Sequence, residues 1–255
     1  MDVTDLIDYN FALLNRYDLT ACFFHLDRND PTVGFEFDAS RPFGNTYPAA
    51  TECPISSPHL GGASPEYHQS AFLYLRLILG SFLARHLRHQ LEEQKGYTAT
   101  AGISVNKLLS KLVGNLNKPH DQTTLLSYNS CHGEEQETTV MRFMDSHEIG
   151  KIPGIGLKMA QNIREYMLGR PATHNGEIMY GSVRDRVPVR DVRLNPEMSP
   201  ALLEKLIGGP GVHRNMGDKI WELLHGVDDS EVSKAKDVPR QISIVCSKPD
   251  LLRSC

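Results

Sequence analysis

The sequence predicts an α+β fold: a mixed sheet with helices in the first half, followed by an all-helical region. Three observations carry this. Residues 97–104 alternate like a buried strand, then turn through Asn106 into an amphipathic helix. Leu75, Ile78, Leu79, Phe82 and Leu83 recur at i, i+3, i+4, i+7 and i+8, the stripe of a core-facing helix. Beyond Ser127 alternation gives way to helices and short turns.

Residues 2–4 read as a strand end, and Leu6, Ile7, Tyr9, Ala12 and Leu13 mark a helix over 5–16. Residues 22–69 are rich in Pro, Gly, Ser and Asn, so an irregular insertion is expected there, with 34–38 as a short strand. Gly96 ends the helix that bears Leu75. In the helix over 106–116, Leu108, Leu109, Leu112, Val113 and Leu116 form the apolar face, and Lys107 and Lys111 share the opposite one. Residues 122–126 read as an edge strand. Further helices are expected at 138–146, 157–168, 200–206 and 217–225, and an exposed loop at 169–181. The tail from Ser233 reads as a linker. The expected division is 1–127, 128–232 and 233–255.

Composition sets the class. With 40% apolar and 23% charged residues, the 255-residue chain reads as globular, and its net charge of −4 is not that of a broadly basic nucleic-acid binder. Positive charge is local instead: residues 104–120 hold Lys107, Lys111 and Lys118 and no acid, and Arg184, Arg186, Arg190 and Arg193 cluster later. Five scattered cysteines without a Cys-x-x-Cys pair suit a reducing compartment rather than a disulfide or zinc framework. The acidic start lacks the basic and apolar regions of a signal peptide, and the apolar run at 71–83 is too short and charged to cross a bilayer. A soluble intracellular protein is expected.

Two motifs carry chemistry. In the first, a strand leads through Asn106-Lys107 into a helix that stops at Asn117-Lys118-Pro119. A lysine just past a helix end, followed by proline, offers a point charge suited to a triphosphate, and Lys107 and Lys111 on one face suit a phosphate backbone. The plainer reading is a solvated lysine face. The second motif is Lys151-Ile152-Pro153-Gly154-Ile155-Gly156-Leu157-Lys158. Its glycines allow amides at the head of the next helix to face a phosphate, with Lys151 and Lys158 adding charge. The plainer reading is a glycine turn between two helices. A weaker hairpin lies at 207–212. Trp221 reads as core, and Asp228 and Asp229 as residues of a helix exit rather than metal ligands. Glu36 and Asp38 read as strand alternation, and the arginines beside His86 and His89 argue against a metal pair.

The order MDVT, GISVNKLLSKL, NKP, PGIG, VRDVRL, HGVDDSEV resembles the Y-family translesion DNA polymerases through nearly the whole chain. The resemblance implies a partial palm over 1–127, an all-helical thumb with helix-hairpin-helix motifs over 128–232, and the start of a missing little-finger domain at VPRQISI. It makes Lys118 the nucleotide-binding lysine. It makes Lys107, Lys111, Lys151, Gly154, Ile155, Gly156 and Lys158 DNA-binding residues. It also implies DNA as partner, deoxynucleotide triphosphate in the complete enzyme, a nuclear location, and a role in DNA repair.

Two-metal phosphoryl transfer needs paired carboxylates. The family supplies them from an Asp-x-Asp-Phe-Phe type strand and from an Asp-Glu pair shortly before Asp-Val-Thr; here only Met1 precedes Asp2-Val3-Thr4. Mg2+ belongs to the complete family enzyme, no stable binding is expected here, and no catalytic residue is assigned. The expectation is a polymerase fragment truncated at both ends and without nucleotidyl transfer; the alternatives are a non-catalytic DNA-binding module or an interaction fragment.

Overall fold

A computed structural model describes residues 1–49, 65–127, 138–172, 185–208 and 215–233, with the side chains of 65–68 left aside. The fold is α+β. Arg184, the hairpin residues 209–212, the tail from 234 and all cysteines except Cys22 lie outside the described residues.

The chain opens with a helix, not a strand: α1 spans Thr4–Leu13. Asp2 accepts the Thr4 N–H at 3.0 Å and the Thr4 hydroxyl at 2.7 Å, a local turn that starts a helix rather than extending a sheet. The described part of the expected irregular segment holds the strand expected at 34–38 and two that were not expected. Strands β1 (Cys22–His25) and β2 (Gly34–Phe37) form an antiparallel hairpin, and β3 spans Asn45–Tyr47. Turn-forming residues misled the composition argument here. Asp27 accepts the Asn29 N–H and Asp30 the Thr32 N–H, so the polar stretch is a tight connection between strands.

Helix α2 (Pro65–Lys95) bears the stripe read from sequence, and Leu75, Ile78, Leu79, Phe82 and Leu83 are all buried. Removing each such side chain from water contributes about 1.5–3 kcal/mol. The hairpin lies against this helix through Phe37 and Phe82, 4.8 Å between ring centroids, and through Phe35 stacked on His86 at 4.7 Å. Gly96, at φ +69, ends the helix as expected.

Strand β4 is shorter than read, Ala101–Ile103, and α3 spans Lys107–Val113. Leu108, Leu109, Leu112 and Val113 are buried, but Leu116 lies past the helix end and is 48% exposed. Strand β5 (Gln122–Leu125) is central, not an edge: β3 and β4 pair with it in parallel, in the order β3-β5-β4. Two of its polar side chains, Gln122 and Thr123, are satisfied internally, while the buried Thr124 hydroxyl has no hydrogen-bond partner. The Gln122 amide donates to the Phe43 and Ser81 carbonyls at 3.1 and 2.8 Å, and Asn117 donates to Thr123 Oγ1 at 2.9 Å.

The second half is helical: α4 (Thr139–Asp145), a 3-10 turn (Ile149–Lys151), α5 (Leu157–Leu168), α6 (Val189–Leu194), α7 (Pro200–Ile207) and α8 (Met216–Leu224). The short α6 was not anticipated. Its register is held by tertiary bonds, Ile149 N–H to the Val187 carbonyl and Val189 N–H to the His147 carbonyl. Two apolar clusters result. One joins α1, the β1–β2 hairpin and α2; the other runs from α3 and Leu125 into the helices. Helix α3 therefore shares its core with the helical half.

Candidate nucleic-acid interface

The turn that leads into α5 is built from buried anchors and exposed polar edges. Ile152 and Ile155 are 2% and 6% exposed and belong to the helical core, so Ile155 can meet a ligand only through its backbone. Lys151, Gly154, Gly156 and Lys158 are exposed. Gly154 has φ +97, a conformation that requires glycine, and a Cβ there would stand 3.0 Å from Leu223 Cδ1. Gly156 does not need glycine conformationally: its φ is −72, and a Cβ would meet nothing within 4 Å. Gly156 is the N-cap of α5 and no side chain caps that end, whereas Asn106, Thr138 and Ser199 cap α3, α4 and α7. The first amides of α5 thus have no side-chain partner, and the exposed Lys151 and Lys158 flank them in the sequence.

A buried arginine–carboxylate pair joins the two flanks of the turn, and a second, largely buried pair joins α4 to α6. Arg164 Nε and Nη2 both donate to Glu148 Oε1, at 2.8 and 2.7 Å, while Glu148 Oε2 accepts the Gly150 N–H at 2.9 Å. Arg193 grips both oxygens of Asp145, at 3.1 and 2.7 Å. Between them, burial holds the His147 imidazole below the ordinary histidine pKa, opposed by its Nδ1 contact with the Phe143 carbonyl at 2.8 Å. Neither pair was found from sequence. Glu148 and Arg164 are sixteen residues apart, and no local spacing announces them.

The lysines of the other motif are divided. Lys107 and Lys111 line one cleft of about 580 Å³ together with Asp2, Asp228, Asp229 and Glu231. Acids thus face the lysine stripe. Lys107 Nζ donates to the Glu231 carbonyl at 3.3 Å. Burial raises the Asp228 pKa, but the Ser230 hydroxyl and N–H, Lys107 and the Leu108 N–H outweigh it and hold the carboxyl below its usual range. Asp228 and Asp229 lie past α8, as the reading of a helix exit expects. Lys118 is exposed in the turn beyond the far end of α3, where Thr100 Oγ1 donates to the Pro119 carbonyl at 2.6 Å. Trp221 packs against the helical core, 4.8 Å from the His225 ring. His86 stacks on Phe35, and His89 Nδ1 sits 3.1 Å from Glu93. Among the described residues no group of three or more His, Cys, Asp or Glu is placed to hold a metal ion, and no helix is long and apolar enough to cross a membrane.

No family model matches the chain. It is 30% identical over 160 residues to human DNA polymerase iota, covering 63% of this chain and 17% of that protein. It is 35% identical over 118 residues to DNA polymerase iota of Drosophila melanogaster, covering 46% and 13%. To DNA polymerase IV of Yersinia enterocolitica it is 27% identical over 153 residues, covering 60% and 33%. The chain spans only 13 to 33% of the length of these three relatives. Eta and kappa polymerases are similar as well. Every one of these relatives is a Y-family DNA polymerase, and it is to part of such a polymerase that the chain is similar.

Proposed function

We propose that this chain is part of a Y-family DNA polymerase acting in translesion synthesis and DNA repair, and that its own contribution is to hold primer-template DNA by the backbone. The observation that carries the reading is the Gly154 turn, with uncapped α5 amides between Lys151 and Lys158, in a homologue of DNA polymerases. Amides and lysines of this kind grip phosphates without reading bases. Residues 1–127 serve as a partial palm and 128–232 as a helix-hairpin-helix thumb. Lys118 serves the nucleotide triphosphate, and Lys111 the DNA backbone. Lys107 joins it by exchanging its bond to the Glu231 carbonyl for a phosphate. The location that suits this role is the nucleus.

By itself the chain transfers no nucleotide, because its sequence holds neither the Asp-x-Asp-Phe-Phe strand nor the Asp-Glu pair that seat two Mg2+ ions in the family. Those ions belong to the complete enzyme. Two assays test the reading. Fluorescence anisotropy with a primer-template should show weak, sequence-independent binding with a shallow salt dependence, since each neutralised phosphate contributes a slope of about −0.9. Primer extension with Mg2+ or Mn2+ should show no added nucleotide. Strong base-sequence dependence would remove the turn from the reading.

A second reading, an interaction module, is favoured by the groove of about 310 Å³ beside β4, lined by Leu83, Ala84, Leu87, Leu91 and Ile103. Its occupancy by protein rather than DNA is the outcome that would select it.

A further inference from the structure

The Ile152–Gly156 turn runs from a 3-10 turn of three residues to an uncapped helix, anchored by the buried Ile152 and Ile155 and by the Ile155 N–H bond to the Ile152 carbonyl at 3.0 Å. Its flanks are joined besides by a buried charged pair. Glu148 stands at the head of the 3-10 turn, Arg164 lies in the middle of α5, and their side chains are 8% and 3% exposed. The pair joins the segment before the turn to the helix after it. It also governs Gly150, whose N–H is held by Glu148 and where any Cβ would collide with Arg164 Nη2. A buried ion pair is weak evidence for stability, because apolar replacements of similar volume are often neutral or better. Its geometry is specific all the same: two nitrogens on one oxygen, with the second oxygen on a backbone amide.

We propose that Glu148 and Arg164 are positioning residues: they aim the Ile152–Gly156 turn so that the first amides of α5 converge on a DNA phosphate. This rests on the turn being a backbone-phosphate contact. It goes beyond that reading by assigning the affinity to two side chains that never touch DNA.

The test measures binding to a fluorescein-labelled primer-template, its salt dependence and the thermal midpoint of each variant. Gly154→Val together with Lys158→Glu checks the underlying contact. If that variant is folded and binds as the parent does, the contact reading fails, and this proposal with it. If binding falls, Glu148→Met/Arg164→Met decides the positioning role. The expected result is a thermal midpoint near the parent value, affinity reduced about tenfold, and a shallower salt slope by about one phosphate contact. A folded double-Met variant with parental affinity and slope would overturn the proposal. Should that variant not fold, Gly150→Ala and Arg164→Lys replace it: each disturbs the pair while leaving it charged. Both should weaken binding and flatten the slope, and parental values in both would overturn the proposal equally.

Discussion

The side chain of Asn106 donates to the Gly226 carbonyl at 2.8 Å while its oxygen accepts the Leu109 N–H at 2.9 Å. One amide therefore caps α3 and ties it to the exit of α8, 120 residues later in the chain. Asn106→Ala should lower the unfolding free energy by about 1–3 kcal/mol, combining a lost cap with an unsatisfied carbonyl. Asn106→Asp keeps the cap and loses the donor, so urea denaturation should place it between the parent and the alanine variant. An Asn106→Asp variant as stable as the parent would mean that the tie to Gly226 contributes nothing.

The two glycines of the candidate phosphate turn should respond differently. Gly154→Ala forces a side chain into φ +97 against Leu223 and should cost about 1–2 kcal/mol or more. Gly156→Ala fits an extended conformation with open space and should remain within about 0.5 kcal/mol. Denaturation midpoints of the two single variants check this.

Arg193→Ala would leave Asp145, whose side chain is 8% exposed, without either guanidinium bond. Breaking one side of a buried pair is expected to cost about 3–5 kcal/mol, far more than removing an exposed arginine. Arg190→Ala, at an exposed position of the same helix, is the comparison, and similar stabilities for the two would contradict the pairing.

Acid should weaken the fold in part through His147. Its folded pKa lies below the ordinary value of 6.5 because of burial, so between the two values the unfolded chain binds the proton that the folded chain refuses. Stability is then full above about pH 6.5 and falls as pH drops toward the folded pKa. His86, also lowered by burial and by neighbouring His89, adds a slope of the same sign from the sheet-bearing half. Thermal midpoints between pH 5 and 7.5 should show a smaller slope in His147→Leu; an identical slope would exclude His147.

Lys118→Ala should leave stability within about 0.5 kcal/mol, since the side chain is exposed. Calorimetric titration should nevertheless show weaker deoxynucleotide triphosphate binding, by about threefold or more, with DNA affinity unchanged. A parallel loss of DNA affinity would move Lys118 from the nucleotide to the template.

Helices were legible where sequence and chain ends agree. The α5 bounds of Leu157–Leu168 follow from Gly156 before it and from Gly169, which leaves the helix at φ +63. The leucine face of α3 was equally plain, but Leu116 was assigned to it because a periodicity count cannot see that the helix stops at Val113. The β5 position was misread because Gln122, Thr123 and Thr124 look like an exposed edge, and only partners far away in sequence reveal that they are buried. At the candidate site the glycines and lysines announced themselves. The ion pair behind them did not, because Glu148 and Arg164 meet only after the chain has packed, as do Asp145 and Arg193.

The placing of β5 between β3 and β4 bears on how the chain is born. The strand that joins the sheet is the last of the three to leave the ribosome, so neither Asn45–Tyr47 nor Ala101–Ile103 has a partner until Leu125 has emerged. Until then, among the described strands, only the β1–β2 hairpin can form its ladder, and α2 waits with one flank uncovered. Sheet closure is therefore a late, nearly simultaneous event, and a ribosome stall just upstream of Gln122 would present a nascent chain with two unpaired strands to chaperones and proteases.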